Sequence, residues 1–125
     1  MLALRLALAL TALISSSLGC GAFSSRNPSP ARSQVSVEVE NHNWNDITVY
    51  LMTGGLPQRL GMVTAFRTAI FAFPSQRLNT TGGVRLRALP VAGASYTTET
   101  ILVHPGQAIS WTLENDLDHS SLTVY

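Results

Sequence analysis

From residue 34 onward the apolar side chains recur at every second position, and that period commits the chain to strands. Val35, Val37 and Val39 alternate with Ser36, Glu38 and Glu40. Neighbouring side chains of an extended strand point to opposite faces, so the segment has one apolar and one polar face, as a half-buried strand requires. Ile47, Val49 and Leu51 repeat the pattern against Thr48 and Tyr50, and Ile109, Trp111 and Leu113 repeat it against Ser110, Thr112 and Glu114. Between the first two runs lie the turn formers Asn41, His42, Asn43, Trp44, Asn45 and Asp46, so these runs are expected to pair as a hairpin.

Further strands are expected over residues 59–63, 67–73, 84–89, 96–103 and 122–125. Pro74 and Pro90 end two of them, because proline has no N–H to give to a ladder. Strands recurring about every ten to twelve residues, with no helical run, predict an all-β fold: a single antiparallel β-sandwich of about seven or eight short strands with Greek-key or meander connections. The layout resembles small immunoglobulin-like or transthyretin-like sandwich domains of bacterial envelopes, in pattern only. The immunoglobulin cysteine pair is missing, so the resemblance carries over no functional residue.

The first twenty residues have a different character. Arg5 gives a short positive start, residues 6–14 form an apolar stretch too short to span a bilayer, and small residues lead to the only cysteine, Cys20. This reads as a signal peptide over residues 1–19. Ser17-Leu18-Gly19-Cys20 resembles the bacterial lipobox, although Ser17 stands where that pattern prefers leucine. The resemblance implies lipid attachment, palmitate included, at Cys20, which becomes the first residue of the mature chain. Gly21 after the cysteine implies the outer membrane of a two-membrane cell, facing the periplasm or the cell surface. The alternative is plain secretion, with cleavage after Gly19 or after Ala22. A lone thiol in an exported chain has no disulfide partner, which favours the anchored reading. Residues 20–33 are rich in serine and proline and read as the lipidated cysteine plus a flexible tether.

The remaining segment, residues 34–125, suffices for one compact domain. With no disulfide, it depends on apolar packing, and its inward residues cannot be spared for a large ligand cavity. All eight basic residues are arginine; setting aside Arg5 in the leader leaves seven, against seven carboxylates. A near-neutral mature chain indicates no nucleic-acid partner. Arg85 and Arg87, the one close basic pair, share a strand face and read as solvated.

Catalytic and metal-binding patterns are weak. His42, His104 and His119 fall in three different turns, without the close spacing of metal ligands on one element, so no metal and no cofactor is expected. A surface metal site needs His42 and His119 to meet Asp116 or Asp118. Glu114, Asn115, Asp116 and Asp118 lack the ordered spacing and glycine of a calcium loop and read as caps on backbone amides. Asp118, His119, Ser120 and Ser121 hold the residue types of a serine hydrolase, but sequence neighbours rarely orient into a relay. Asn79-Thr80-Thr81 fits a glycosylation acceptor, which a bacterial leader argues against.

Trp44 stands out. In its asparagine-rich turn it is either an exposed contact, flanked by Asn43 and Asn45 as hydrogen-bond partners, or a plug folded over the end of the core. The function expected is therefore a non-catalytic envelope lipoprotein, not an enzyme. It is held to the membrane through Cys20 and binds an envelope protein or cell-wall material through loops or a sheet edge. The alternatives are carbohydrate binding through Trp44 and, last, a small secreted hydrolase. Mass spectrometry of the native N-terminus tests the anchor: the expected species begins at Cys20 and carries acyl chains, whereas an unmodified Cys20 or a start at Phe23 means secretion.

Overall fold

The structure, a computed structural model, describes residues 33–125. The expected signal peptide, Cys20 and the tether up to residue 32 lie outside the described residues. Each alternating run forms a strand: β1 (Gln34–Asn41), β2 (Ile47–Thr53), β3 (Leu56–Val63), β4 (Thr68–Pro74), β5 (Gly83–Pro90), β6 (Tyr96–Thr97), β7 (Ile101–Leu102), β8 (Ala108–Leu113) and β9 (Ser121–Val124). One sheet has the order β4-β1-β8-β9; the other has β3-β2-β5-β6, with β7 also on β5. The result is the expected all-β sandwich.

Two features of strand pairing depart from expectation. β1 and β2 do not form a hairpin: β1 pairs with β4 and β8, while β2 pairs with β3 and β5, so residues 42–46 carry the chain from one sheet to the other. The pairing of β1 with β8 is parallel, with Val37 beside Ile109 and Val39 beside Trp111, whereas the other strand pairs are antiparallel. The outcome sets the apolar rows of β1 and β8 side by side in one sheet, facing that of β2 in the other.

The core is what the alternation specified. Val35, Val37 and Val39 of β1, Ile47, Val49 and Leu51 of β2, Leu86 and Ala88 of β5, and Ile109, Trp111 and Leu113 of β8 are buried between the sheets. Fully burying aliphatic or aromatic side chains of this size contributes about 1.5–3 kcal/mol each relative to exposure, which is how a disulfide-free domain offsets its chain entropy. One lateral seam is closed by Phe71 of β4, which packs so tightly over Gly61 of β3 that a Cβ there would lie 2.4 Å from the ring.

The strand expected over residues 96–103 breaks in two. Thr98 is buried, donates its N–H to Leu86 O at 2.8 Å, and accepts the Leu86 N–H on its hydroxyl at 3.0 Å. A side chain thus fills a place in the ladder, and the chain leaves the sheet until Ile101 rejoins β5. Arg85 and Arg87, on the outward side of β5, reach over this irregular edge: Arg85 Nε donates to Thr98 O and Arg87 Nε to Thr97 Oγ1. Replacing Thr98 with valine keeps the shape and strands the Leu86 N–H. Chemical denaturation should show a loss of about 1–3 kcal/mol, the cost of a buried unsatisfied donor.

Candidate functional site

The strand directions gather four connections at one pole: residues 42–46, 64–67, 91–95 and 114–120. β1 begins at the opposite pole, where Gln34 O accepts the Gly106 N–H and Tyr125 bonds Ala108. Whatever precedes residue 33 therefore joins the domain at the end remote from these four loops.

The loop pole is built on asparagine. Asn41 ends β1 with its side chain fully buried. Its Nδ2 lies within hydrogen-bonding distance of Asn45 O at 2.9 Å, Val63 O at 3.2 Å and Thr64 O at 3.2 Å, and its Oδ1 accepts the Asn43 N–H at 2.9 Å. Asn43 is buried as well. Its Nδ2 donates to Glu114 O and Asn115 O, and its Oδ1 accepts both the backbone and side-chain N–H groups of Asn45. Asp46 Oδ1 takes the Ala65 N–H. Short amide side chains that return to nearby backbone groups in this way let a tight connection stay buried without unpaired polar atoms. Of the two amides flanking Trp44, that of Asn43 is buried, and that of the half-buried Asn45 donates to it.

Trp44 at the apex is 74% exposed, so the plug alternative fails. Its ring meets Phe66 edge to face, with centroids 5.7 Å apart and an interplanar angle of 80°. Phe66, 61% exposed, is a residue that reasoning from sequence missed. It occupies the third place of the turn closed by Arg67 N–H on Thr64 O, with φ of 58°, the one positive φ outside glycine among the described residues. That conformation costs an L-residue about 1–2 kcal/mol, and the turn type prefers glycine there. No signal in the sequence marks it.

Between the 91–95 and 114–120 connections lies a shallow polar cleft of about 230 Å³, lined among others by Asn43, Asn45, Tyr96, Asn115, Asp116 and Asp118, with neither Trp44 nor Phe66 in its wall. Asp116 works locally: Oδ1 accepts the Asp118 N–H, capping the 3-10 turn Leu117–His119, and Oδ2 meets His119 Nδ1 at 2.8 Å. Ser120 Oγ accepts the Glu114 N–H and so closes the loop.

The histidines stay apart. His104 lies at the far pole, where its N–H donates to Gln107 Oε1, and His119 belongs to Asp116. His42 is clamped between strands, with Nε2 2.7 Å from Glu40 Oε1 on β1 and Nδ1 3.3 Å from Glu114 Oε1 beyond β8. Among the described residues, no group of three or more histidine, cysteine or acidic side chains is arranged to hold a metal ion. At the far pole, Asn79 Oδ1 accepts from Thr81 N, Thr81 Oγ1 and Gly83 N, so its side chain braces its own loop.

No family model matches the chain, and no curated protein matches it. Among solved structures it is similar to a protein from Eubacterium rectale determined by NMR, at 9% identity and a TM-score of 0.46, over 78% of this chain and 91% of that chain.

The carboxylates raise the His42 pKa above its ordinary value, the hydrogen bond to Glu40 first and that to Glu114 next. A histidine whose folded pKa is raised adds stability that is complete below its unfolded pKa and is lost as pH rises through the folded one. Melting temperatures of the protein and of His42→Asn should therefore differ most below about pH 6.5 and converge on the alkaline side. A gap that persists unchanged to high pH would mean that the charged clamp contributes nothing.

Proposed function

We propose that this chain is a non-catalytic envelope lipoprotein: a β-sandwich tethered through Cys20 that binds a partner through the loop pole. The observation that carries this reading is the Trp44–Phe66 pair, two large aromatic rings kept in solvent on a rigid, internally hydrogen-bonded base. A protein that needed only stability has no use for an exposed tryptophan leaning on a strained phenylalanine. Rigid aromatic side chains, in contrast, supply large contact area at little entropic cost and dominate binding hot spots.

In this reading the tether joins the domain at the pole where β1 begins, and the aromatic pair at the other pole is left free to meet a partner. The partner in this reading is another envelope protein or cell-wall material. The carbohydrate alternative is favoured by one observation, a polar cleft on the same pole, whose carboxylates and amides suit hydroxyl groups.

Chemical crosslinking in intact envelopes, repeated with isolated cell-wall polysaccharide, tests both readings against Trp44→Ala. Binding should fall at least about tenfold, as loss of a hot-spot aromatic implies, while stability changes by no more than about 1 kcal/mol, since the ring is exposed. Equal capture by the variant would overturn the loop-pole assignment. The polysaccharide arm separates the two partner classes.

A further inference from the structure

We propose that the outer face of the β3-β2-β5-β6 sheet is a docking surface for an anionic phospholipid bilayer, with Arg59, Arg85 and Arg87 on headgroup phosphates and the apolar side chains among them at the headgroup–acyl boundary. This face is separate from the loop pole, and the inference stands apart from the function proposed above.

Net charge hides this face, because the fold sorts the charges by sheet. The strands β2, β3, β5, β6 and β7 carry three arginines and no carboxylate, whereas β1, β4, β8 and β9 carry Glu38 and Glu40 and no arginine. The other five carboxylates lie in connections. The register then gathers the arginines on one surface. Arg59, Tyr50 and Arg87 stand side by side across β3, β2 and β5, and in the next row Met52 stands beside Arg85. Same-face partners on adjacent strands have their Cβ atoms about 5 Å apart, so the three arginines bracket Tyr50 and Met52.

None of these arginines is neutralised. Among the described residues every ion pair belongs to a histidine, and residues 1–32 contain no carboxylate. Two of the three are also held in place. Arg85 gives its Nε to Thr98 O and Arg87 gives its Nε to Thr97 Oγ1, both neutral acceptors, which steadies each guanidinium and leaves its terminal Nη groups without a partner among the described residues. A guanidinium presented in this way suits a phosphate, which its planar fork grips by two parallel bonds.

The apolar side chains of the face select a bilayer over a polyanion dissolved in water. Met62 and Leu89, which flank Thr48 in the third row, are 48% and 39% exposed, and Tyr50 and Met52 are half-buried beside them. A soluble phosphate polymer leaves these carbons in water, whereas the headgroup region of a bilayer takes cationic and apolar side chains together. At the rim of the face, a hollow of about 250 Å³ opens against residues 53–55, lined among others by Met52, Val84 and Arg85, with Arg85 its one charge. A phosphate on Arg85 has room there for the carbons it carries. Each arginine close to an anionic leaflet contributes roughly fivefold in affinity, so three together contribute on the order of a hundredfold. With an acyl chain on Cys20, as proposed above, the face supplies the second of the two attachments that stable anchoring takes.

The test is co-sedimentation of the mature chain carrying Cys20→Ser with two kinds of vesicle, phosphatidylcholine alone and phosphatidylcholine mixed with phosphatidylglycerol. Binding to the anionic vesicles is expected to be at least about tenfold stronger than to the neutral ones and to weaken as salt is raised. Arg59→Glu, at an exposed position, reverses one charge of the face and should weaken that binding at least about tenfold with an unchanged melting temperature. Glu38→Gln, on the outer face of the other sheet, should leave it within about twofold. Equal binding to the two vesicles, no binding to either, or binding indifferent to Arg59→Glu would overturn the proposal. So would binding that falls in Trp44→Ala and not in Arg59→Glu, which would move the contact to the loop pole. Capture of soluble inorganic polyphosphate without binding to anionic vesicles would give the face to a different occupant and overturn it as well.

Discussion

The buried amide of Asn41 is the interaction on which this fold turns. β1 lies in the middle of one sheet and β2 in the middle of the other, and only five residues, 42–46, connect them. A connection that short passes close to the core, where backbone groups have neither a ladder nor water to bond with. Asn41 supplies both a donor and an acceptor at that point. It binds carbonyls from residues 45, 63 and 64 and the N–H of residue 43, so one side chain ties the β1–β2 connection to the β3–β4 connection. Asn43 extends the tie to residues 114 and 115 after β8. Each bond is worth only about 1 kcal/mol net, but an unmade one leaves buried groups unpaired, and that penalty is the larger quantity.

Once the crossing is fixed, the two flanks of the sandwich differ. The β3–β4 side closes because Gly61 leaves room for the Phe71 ring. On the β9 side, the departure of residues 98–100 from the sheet withdraws the strand that would have met β9, and Trp111 and Leu122 line the resulting groove. Thr98, whose hydroxyl takes a ladder bond, stands at the point where this edge leaves the sheet.

The strands were legible in the sequence because burial on one face imprints a period of two. β8 falls on the expected residues, and the others lie within a few residues of expectation, except the run over 96–103, which breaks into β6 and β7. Pairing was not legible to the same degree. An asparagine-rich break between two alternating runs is what a hairpin shows, and it is also what a crossing between sheets shows; the local pattern does not contain the partner. The parallel neighbour of β1 lies some seventy residues further on and leaves no mark near β1. The site divides in the same way. Trp44 could be singled out because an indole among turn formers is unusual, but Phe66 could not, since its place depends on a backbone angle that an ordinary phenylalanine codon does not announce. Asn43 and Asn45 stand out as polar neighbours of Trp44, but nothing in the sequence separates the buried Asn43 from the half-buried Asn45.

The β1–β2 connection makes the loop pole both rigid and adhesive. Asn41 and Asn43 bury their amides and fold the connection through i to i+2 bonds to the N–H groups of Asn43 and Asn45, and His42 and Trp44 between them are exposed. The inward set spends its hydrogen bonds on the scaffold. The outward set is left with one side chain that answers to pH, through Glu40 and Glu114, and one that offers an apolar face to whatever approaches. Because His42 and Trp44 share this short segment, the carboxylate clamp on one restrains the backbone that presents the other. The strain at Phe66 belongs to the same arrangement. The left-handed residue of the β3–β4 turn is the one whose ring meets the indole edge to face.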